Sequence, residues 1–192
     1  MATHLKFWLL ANSVLLASSC LVSLAAMAQQ PTIASSAVAN PTYVSIPMEV
    51  TVDKSAPEVW KRIGKYCDIG EWLQIPGGCK IVSGSDGEVG AVRSVGSEIL
   101  VGKTEFSYTY TQPVREGRPY NLYHGTLEAR PINATTSKLI YTLFYDNSLV
   151  MGDDAAKQTD IERRRTAFTR ALNNMKILAE GGTLPARGAP AR

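Results

Sequence analysis

The sequence predicts an α+β domain in which a curved antiparallel sheet of about six or seven strands wraps around one long C-terminal helix. Three observations carry this. From Cys79 to Asp146 short stretches of alternating apolar and polar residues follow one another with turn residues between them, the pattern of an antiparallel meander. Asp153 to Glu180 carries Ile161, Phe168, Ala171, Leu172, Met175 and Leu178, spaced three or four apart over its second half, so one helical face is apolar. A helix of that length needs a large apolar partner, and the sheet is what the rest of the chain offers.

The N-terminus reads as an export signal. Lys6 precedes the apolar run Phe7 to Leu10, Val14 to Ala26 is rich in Leu, Ala, Ser and Val, and Ala26-Met27-Ala28 puts small residues where a signal peptidase reads. Residues 1–28 are therefore expected to be removed on the way to the periplasm or the exterior. A membrane helix is the weaker reading, because the run ends in small residues before polar Gln29-Gln30-Pro31. Lipidation at Cys20 is a minor alternative, since Ala17 stands where a leucine is usual. Residues 29–42 and 181–192 are rich in small and turn-forming residues without periodicity and are expected to be disordered, which leaves 43–180 as one domain with a full core.

Cleavage removes Lys6 from the 20 basic residues and leaves 19 against 17 acidic ones. That near-balance argues against a nucleic-acid partner, which calls for a clustered basic stripe. No stable membrane span is expected after signal cleavage.

The elements follow in order. Tyr43 to Val52 has apolar residues at 44, 46, 48, 50 and 52, a strand with one buried face, and Pro47 suits a sheet edge. Ser55 can cap a helix with Pro57 in its first turn and Glu58 three after the cap. Val59, Trp60, Ile63 and Tyr66 form that helix's apolar face, and a second short helix, Ile69 to Leu73, starts on Asp68 and ends before Pro76-Gly77-Gly78. Strands are then expected at Cys79 to Ser83, Val89 to Val95, Ile99 to Val101, Glu105 to Gln112, Tyr120 to Arg130 and Lys138 to Asp146.

This order resembles the START/Bet v 1-like superfamily (SRPBCC proteins), which includes polyketide cyclases, lipid carriers and abscisic-acid receptors. The likeness rests on Ser55-Ala56-Pro57-Glu58-Val59-Trp60, on Glu71-Trp72, on Val89-Gly90-Ala91-Val92-Arg93 and on Tyr120 to Thr126, and covers residues 43–180. It implies a helix-grip fold with a cavity between sheet and long helix, filled by an apolar or aromatic ligand. It does not choose the ligand or say whether chemistry happens there.

Alternation assigns the cavity face. Phe106, Tyr108 and Tyr110 are the bulky set of their strand. In the next strand, burying Tyr123 with Asn121, Gly125, Leu127 and Ala129 avoids hiding Glu128 and Arg130, and leaves His124 outward. Leu139, Tyr141, Leu143 and Tyr145 complete the inner set, with Trp72 near the mouth. Phenols offer an apolar body and a donor tip, which suits aromatic, hydroxylated or carbonyl ligands. For any one of these tyrosines, a core residue with a satisfied hydroxyl is the competing explanation. The resemblance to polyketide cyclases and abscisic-acid receptors implies that Ala91, Arg93 and Val95 face inward, placing a guanidinium in the cavity that could hold a carboxylate or enolate. An outward Arg93 on a solvated face is the other reading. Gly77-Gly78 stand where those receptors carry a ligand-binding lysine, and the gating loop is shortened to Gly96 to Lys103, which argues against hormone-receptor behaviour.

Several chemistries are disfavoured. A single remaining histidine, placed outward, argues against a Ser-His-Asp triad, and two cysteines with His124 do not make a zinc or iron set. No Gly-rich loop joins a strand to a helix, so no nucleotide is expected, nor any other cofactor. Asp153, Asp154, Asp160 and Glu162 suit a helix N-terminus better than a metal. Two functions remain in view. One is binding or carriage of a small hydrophobic or aromatic molecule in a tyrosine-lined cavity. The alternative is a cofactor-free enzyme of the polyketide cyclase, aldolase or dehydratase type, with Arg93 stabilising an enolate and Tyr108 or Tyr141 as proton donor. A subunit surface built on the edge strand Tyr43 to Val52 is a lesser third.

Cys67 and Cys79 flank the short helix. Export and an even count in the mature chain favour a disulfide, with buried free thiols or a catalytic thiol as the other possibilities. A disulfide requires the Cα atoms to lie about 4.4 to 6.8 Å apart.

Overall fold

The computed structural model describes residues 40–186. The expected signal peptide, including Cys20, residues 29–39 of the expected linker and 187–192 of the expected tail lie outside the described residues. No helix among the described residues is long and apolar enough to cross a membrane.

Strand β1 (Tyr43–Val52) leads through the helices α1 (Ala56–Ile63) and α2 (Ile69–Trp72) into six further strands. These are β2 (Ile81–Ser83), β3 (Val92–Arg93), β4 (Glu98–Thr104), β5 (Ser107–Thr111), β6 (Asn121–Pro131) and β7 (Ser137–Asp146). The long helix α3 (Asp154–Ala179) follows. All strands pair antiparallel in the order β1-β7-β6-β5-β4-β3-β2, so β1 and its Pro47 lie on one edge. A curved seven-stranded sheet around a C-terminal helix, with two short helices after the first strand, is the helix-grip fold.

Local chemistry sets the boundaries. Glu58 accepts from both the backbone N–H and the hydroxyl of Ser55, fixing the start of α1, and Asp153 caps α3 by accepting from the Ala156 N–H. Asp68 does not cap α2; its carboxylate accepts from the Lys65 N–H instead and tightens the turn out of α1. Strand β3 is shorter than its alternation suggests and β4 longer. Left-handed Gly90 and Gly96 bracket β3, and the chain turns at once through Ser94 to Ser97 into β4. Beyond α3, Gly182 N–H donates to Ile177 O, Gln74 donates to Pro185 O, and Leu184 packs against the core.

The inner face is the one alternation assigns. Leu127, Leu139, Tyr141, Leu143 and Tyr145 are wholly buried, Glu128 is half-buried and Arg130 exposed. From α3, Ala171, Leu172, Met175 and Leu178 join them. The first half of the helix differs: Asp160 is buried there and Arg164 is largely covered.

Cys67 and Cys79 form a disulfide, with Cα atoms 5.2 Å apart. Gly70 makes the approach possible, since a Cβ there would lie 2.7 Å from the Cys79 backbone nitrogen. A closed loop of this size contributes about 2–3 kcal/mol. Reduction, or Cys67→Ala with Cys79→Ala, is therefore expected to lower the urea midpoint by that equivalent with little change in slope. An unchanged midpoint would show that the loop is held by its other contacts alone.

Candidate functional site

The inward aromatic residues gather around two arginines, Arg93 wholly buried and Arg164 largely covered, each with an acidic partner. Arg93 on β3 faces Glu98 on β4 across the Ser94 to Ser97 turn. Its Nε donates to Glu98 Oε2 at 2.7 Å and its Nη1 to the Tyr66 carbonyl at 2.6 Å. The remaining Nη2 lies 2.5 Å from Glu98 Oε2 but outside hydrogen-bond geometry. The guanidinium carbon sits 4.3 Å from the Tyr66 ring centre, 4.6 Å from that of Tyr110 and 5.9 Å from that of Tyr108. Gln112 donates to the other Glu98 oxygen and accepts from the Tyr120 hydroxyl, both at 2.8 Å.

Burial acts against the charge on Arg93, but the surrounding phenols and Glu98 outweigh it and hold the group protonated. Burial pushes the Glu98 carboxyl up, with Arg93 and Gln112 opposing. The phenols of Tyr66 and Tyr108 are raised by burial even with Arg93 beside them, so both keep their protons at neutral pH. Tyr110 and Tyr141, which share a 2.8 Å hydrogen bond, are raised by burial still more.

The second cluster explains the first half of α3. Arg164 lies 4.7 Å from the Tyr120 ring centre, 4.5 Å from that of Tyr145 and 5.5 Å from that of Tyr123. Asp160 accepts from Arg164 at 2.7 Å, from Arg163 at 2.5 Å and from the Tyr145 hydroxyl at 3.1 Å. Burial pushes the Tyr145 phenol up to about 12. The acidic run at the helix start thus divides, Asp153 capping the helix and Asp160 neutralising a buried arginine.

A pocket of about 370 Å³ opens beside the first cluster. Trp60, Tyr66, Leu100 and Tyr108 supply its apolar lining, and Lys65, Asp86, Lys103 and Glu105 its charges. Of the residues expected to meet a ligand, Tyr108 lines this pocket, and Arg93 lies against Tyr108 and Tyr66. Tyr110, Tyr123, Tyr141 and Tyr145 are brought to the inner face but packed among other rings: Tyr110 on Tyr123, Tyr123 on Tyr145, and Tyr141 on Phe168 at 4.7 Å. Trp72, expected near a mouth, is fully buried with its ring edge-on to Tyr141. Phe106 sits in the turn between β4 and β5, half-buried against the core. The level of the fold expected to hold a ligand is occupied by the phenols' own rings.

Tyr66, Glu98 and Gln112 escaped the reading of the sequence. Tyr66 looks like one more apolar position of a helix. A signal for Glu98 was present: opposite charges at 93 and 98 flank a turn glycine at 96, the spacing of a cross-strand pair.

No protein-family model and no curated protein matches the chain. Solved structures do. A protein from Nitrosospira multiformis is 23% identical, covers 69% of this chain and 94% of its own, with a TM-score of 0.56. One from Thermobifida fusca is 20% identical over 73% of this chain and 97% of its own, at 0.58. The Zhui aromatase/cyclase from Streptomyces sp. R1128 is 16% identical over 74% of this chain and 100% of its own, at 0.51. At these identities the likeness shows a shared Bet v 1-like fold.

Proposed function

We propose that this domain takes a small apolar, ring-bearing molecule with a carbonyl or hydroxyl oxygen and acts on it without a cofactor, as an enzyme of the polyketide cyclase, aldolase or dehydratase kind, in the periplasm or outside the cell. One observation carries the reading. Among the described residues the Tyr66 hydroxyl, the Tyr108 hydroxyl and Arg93 Nη2 are buried and make no hydrogen bond of good geometry, Nη2 lying beside Glu98 and the Tyr108 hydroxyl beside Arg93, and the two tyrosines line the pocket. A buried polar group left unmatched costs about 1–3 kcal/mol, so a ligand oxygen that accepts from this set recovers that free energy. Fixed donors around a carbonyl also stabilise the charge that develops on its oxygen as an α-carbon loses a proton to water or hydroxide from solvent. Likeness to an aromatase/cyclase fold supports the reading by analogy. The disulfide supports export to an oxidising compartment. Simple carriage is the second reading, favoured by the pairing of Arg93 with Glu98, which leaves the guanidinium no unneutralised charge.

The test follows α-proton exchange of 2-acetylnaphthalene in heavy water by NMR, together with native mass spectrometry of protein from its own host. Wild type is expected to accelerate exchange over buffer, and Tyr108→Phe and Arg93→Met to reduce it by about tenfold or more for each lost donor. Binding without exchange would favour carriage. Neither binding nor exchange, with empty protein recovered from the host, would overturn both readings.

A further inference from the structure

We infer that Glu98 sets the charge of the ligand: the site selects a neutral oxygen acceptor and rejects a carboxylate of the same shape. This rests on the pocket at Tyr66 and Tyr108 being the ligand site and adds what it discriminates against. A lone inward arginine would favour an anion. Here the guanidinium is already compensated, since Nε donates to Glu98 Oε2 and Nη2 lies 2.5 Å from the same oxygen. Tyr66 and Tyr108, which line the pocket, pack against this guanidinium, so a ligand oxygen at their hydroxyls meets a positive charge that Glu98 already offsets. A second carboxylate there gains little from Arg93 and is repelled by Glu98.

Glu98 is held where it does this. Gln112 donates to its second oxygen, and the Tyr120 hydroxyl orients Gln112 in turn. These bonds, with the one from Arg93, oppose its swinging away when an anion approaches. The raised phenols of Tyr66 and Tyr108 report the same balance. Burial disfavours negative charge at both oxygens, Arg93 offsets this in part, and Glu98 works against Arg93. A neutral carbonyl meets none of that penalty and still finds the buried donors. In a reaction, the charge would then appear only as the oxygen becomes an enolate, so the donors act on the transition state more than on the ground state.

The experiment measures dissociation constants of 2-acetylnaphthalene and 2-naphthoate, matched in ring and differing in charge, by titration of tryptophan fluorescence and by calorimetry at pH 7. Wild type is expected to bind the ketone about tenfold or more tightly than the carboxylate. Glu98→Gln, which keeps the shape and an oxygen acceptor for Arg93, is expected to lose or invert that preference, and Glu98→Asp to retain it. Wild type that binds both and prefers the naphthoate, or binds them equally, overturns the inference while leaving the pocket assignment intact. So does a Glu98→Gln protein with native near-ultraviolet circular dichroism and an unchanged ratio. If Glu98→Gln does not fold, the wild-type ratio still decides. Wild type that binds neither probe sinks the pocket assignment and this inference with it.

Discussion

Gly125→Ala is expected to cost about 3 kcal/mol of folding stability and to lower the melting temperature by roughly 10 °C, although it adds a single methyl group. Gly125 pairs directly with Tyr110 across β5 and β6. A Cβ at 125 would stand 2.4 Å from both Cζ and the hydroxyl oxygen of Tyr110, inside any permissible contact. The ring has nowhere to go. Its hydroxyl is bonded to that of Tyr141, Arg93 covers one side at 4.6 Å, and Tyr123 packs beside it. Moving the ring breaks the Tyr110–Tyr141 bond and leaves two buried hydroxyls unmatched, which adds desolvation to the steric cost. Replacing Tyr110 with Leu in the Gly125→Ala background removes the clashing atoms and should recover part of the loss. Thermal and urea unfolding under oxidising conditions measure both. A Gly125→Ala protein within 0.5 kcal/mol of wild type, about the spread of a neutral surface change, would mean that Tyr110 is freer than its contacts indicate.

The contrast between Gly125 and Arg93 explains what could be read in advance. Alternation fixes which way a side chain points, because a strand has a period of two and burying Glu128 and Arg130 is too costly to permit the opposite choice. It therefore assigns Tyr108, Tyr110, Tyr123, Tyr141 and Tyr145 to the inner face, even past the bulge at left-handed Leu122. Whether inward rings enclose a space or fill it depends on how far each reaches, and that is set by partners distant in sequence. Tyr141 meets Tyr110 from 31 positions away, and Asn174 holds the Trp72 carbonyl from 102. The helix pattern is blind to chemistry in a similar way. Asp160 reads as one more acid of a helix N-terminus, since nothing local says that Arg164 will pair with it under Tyr120, Tyr123 and Tyr145.

Glu98→Ala should be the most damaging single change at the site, at about 3–5 kcal/mol, because it leaves the Arg93 charge buried without a counter-ion. The surface pair Arg62–Glu71 provides the internal control. Its two hydrogen bonds, 2.7 and 2.8 Å, are as short as those of Arg93, yet its side chains are 41% and 47% exposed where those of Arg93 and Glu98 are 0% and 5%. Water takes over when Glu71 is removed, so Glu71→Ala should cost no more than about 1 kcal/mol. Glu98 and Arg93 are shielded from solvent, and Gln112 loses its acceptor as well. The double variant Arg93→Met with Glu98→Leu removes both charges at similar volume and should regain most of the stability, since a buried ion pair contributes little net once its desolvation is counted. What it cannot regain is the donor to the Tyr66 carbonyl, so a residual deficit of about 1 kcal/mol is expected. Urea unfolding of wild type, Arg93→Met, Glu98→Leu and the double variant, with the disulfide kept oxidised so that two-state analysis holds, gives the coupling energy directly. A loss below 1 kcal/mol for Glu98→Ala would mean that solvent reaches the guanidinium, and with it the argument that Glu98 selects a neutral ligand would fall.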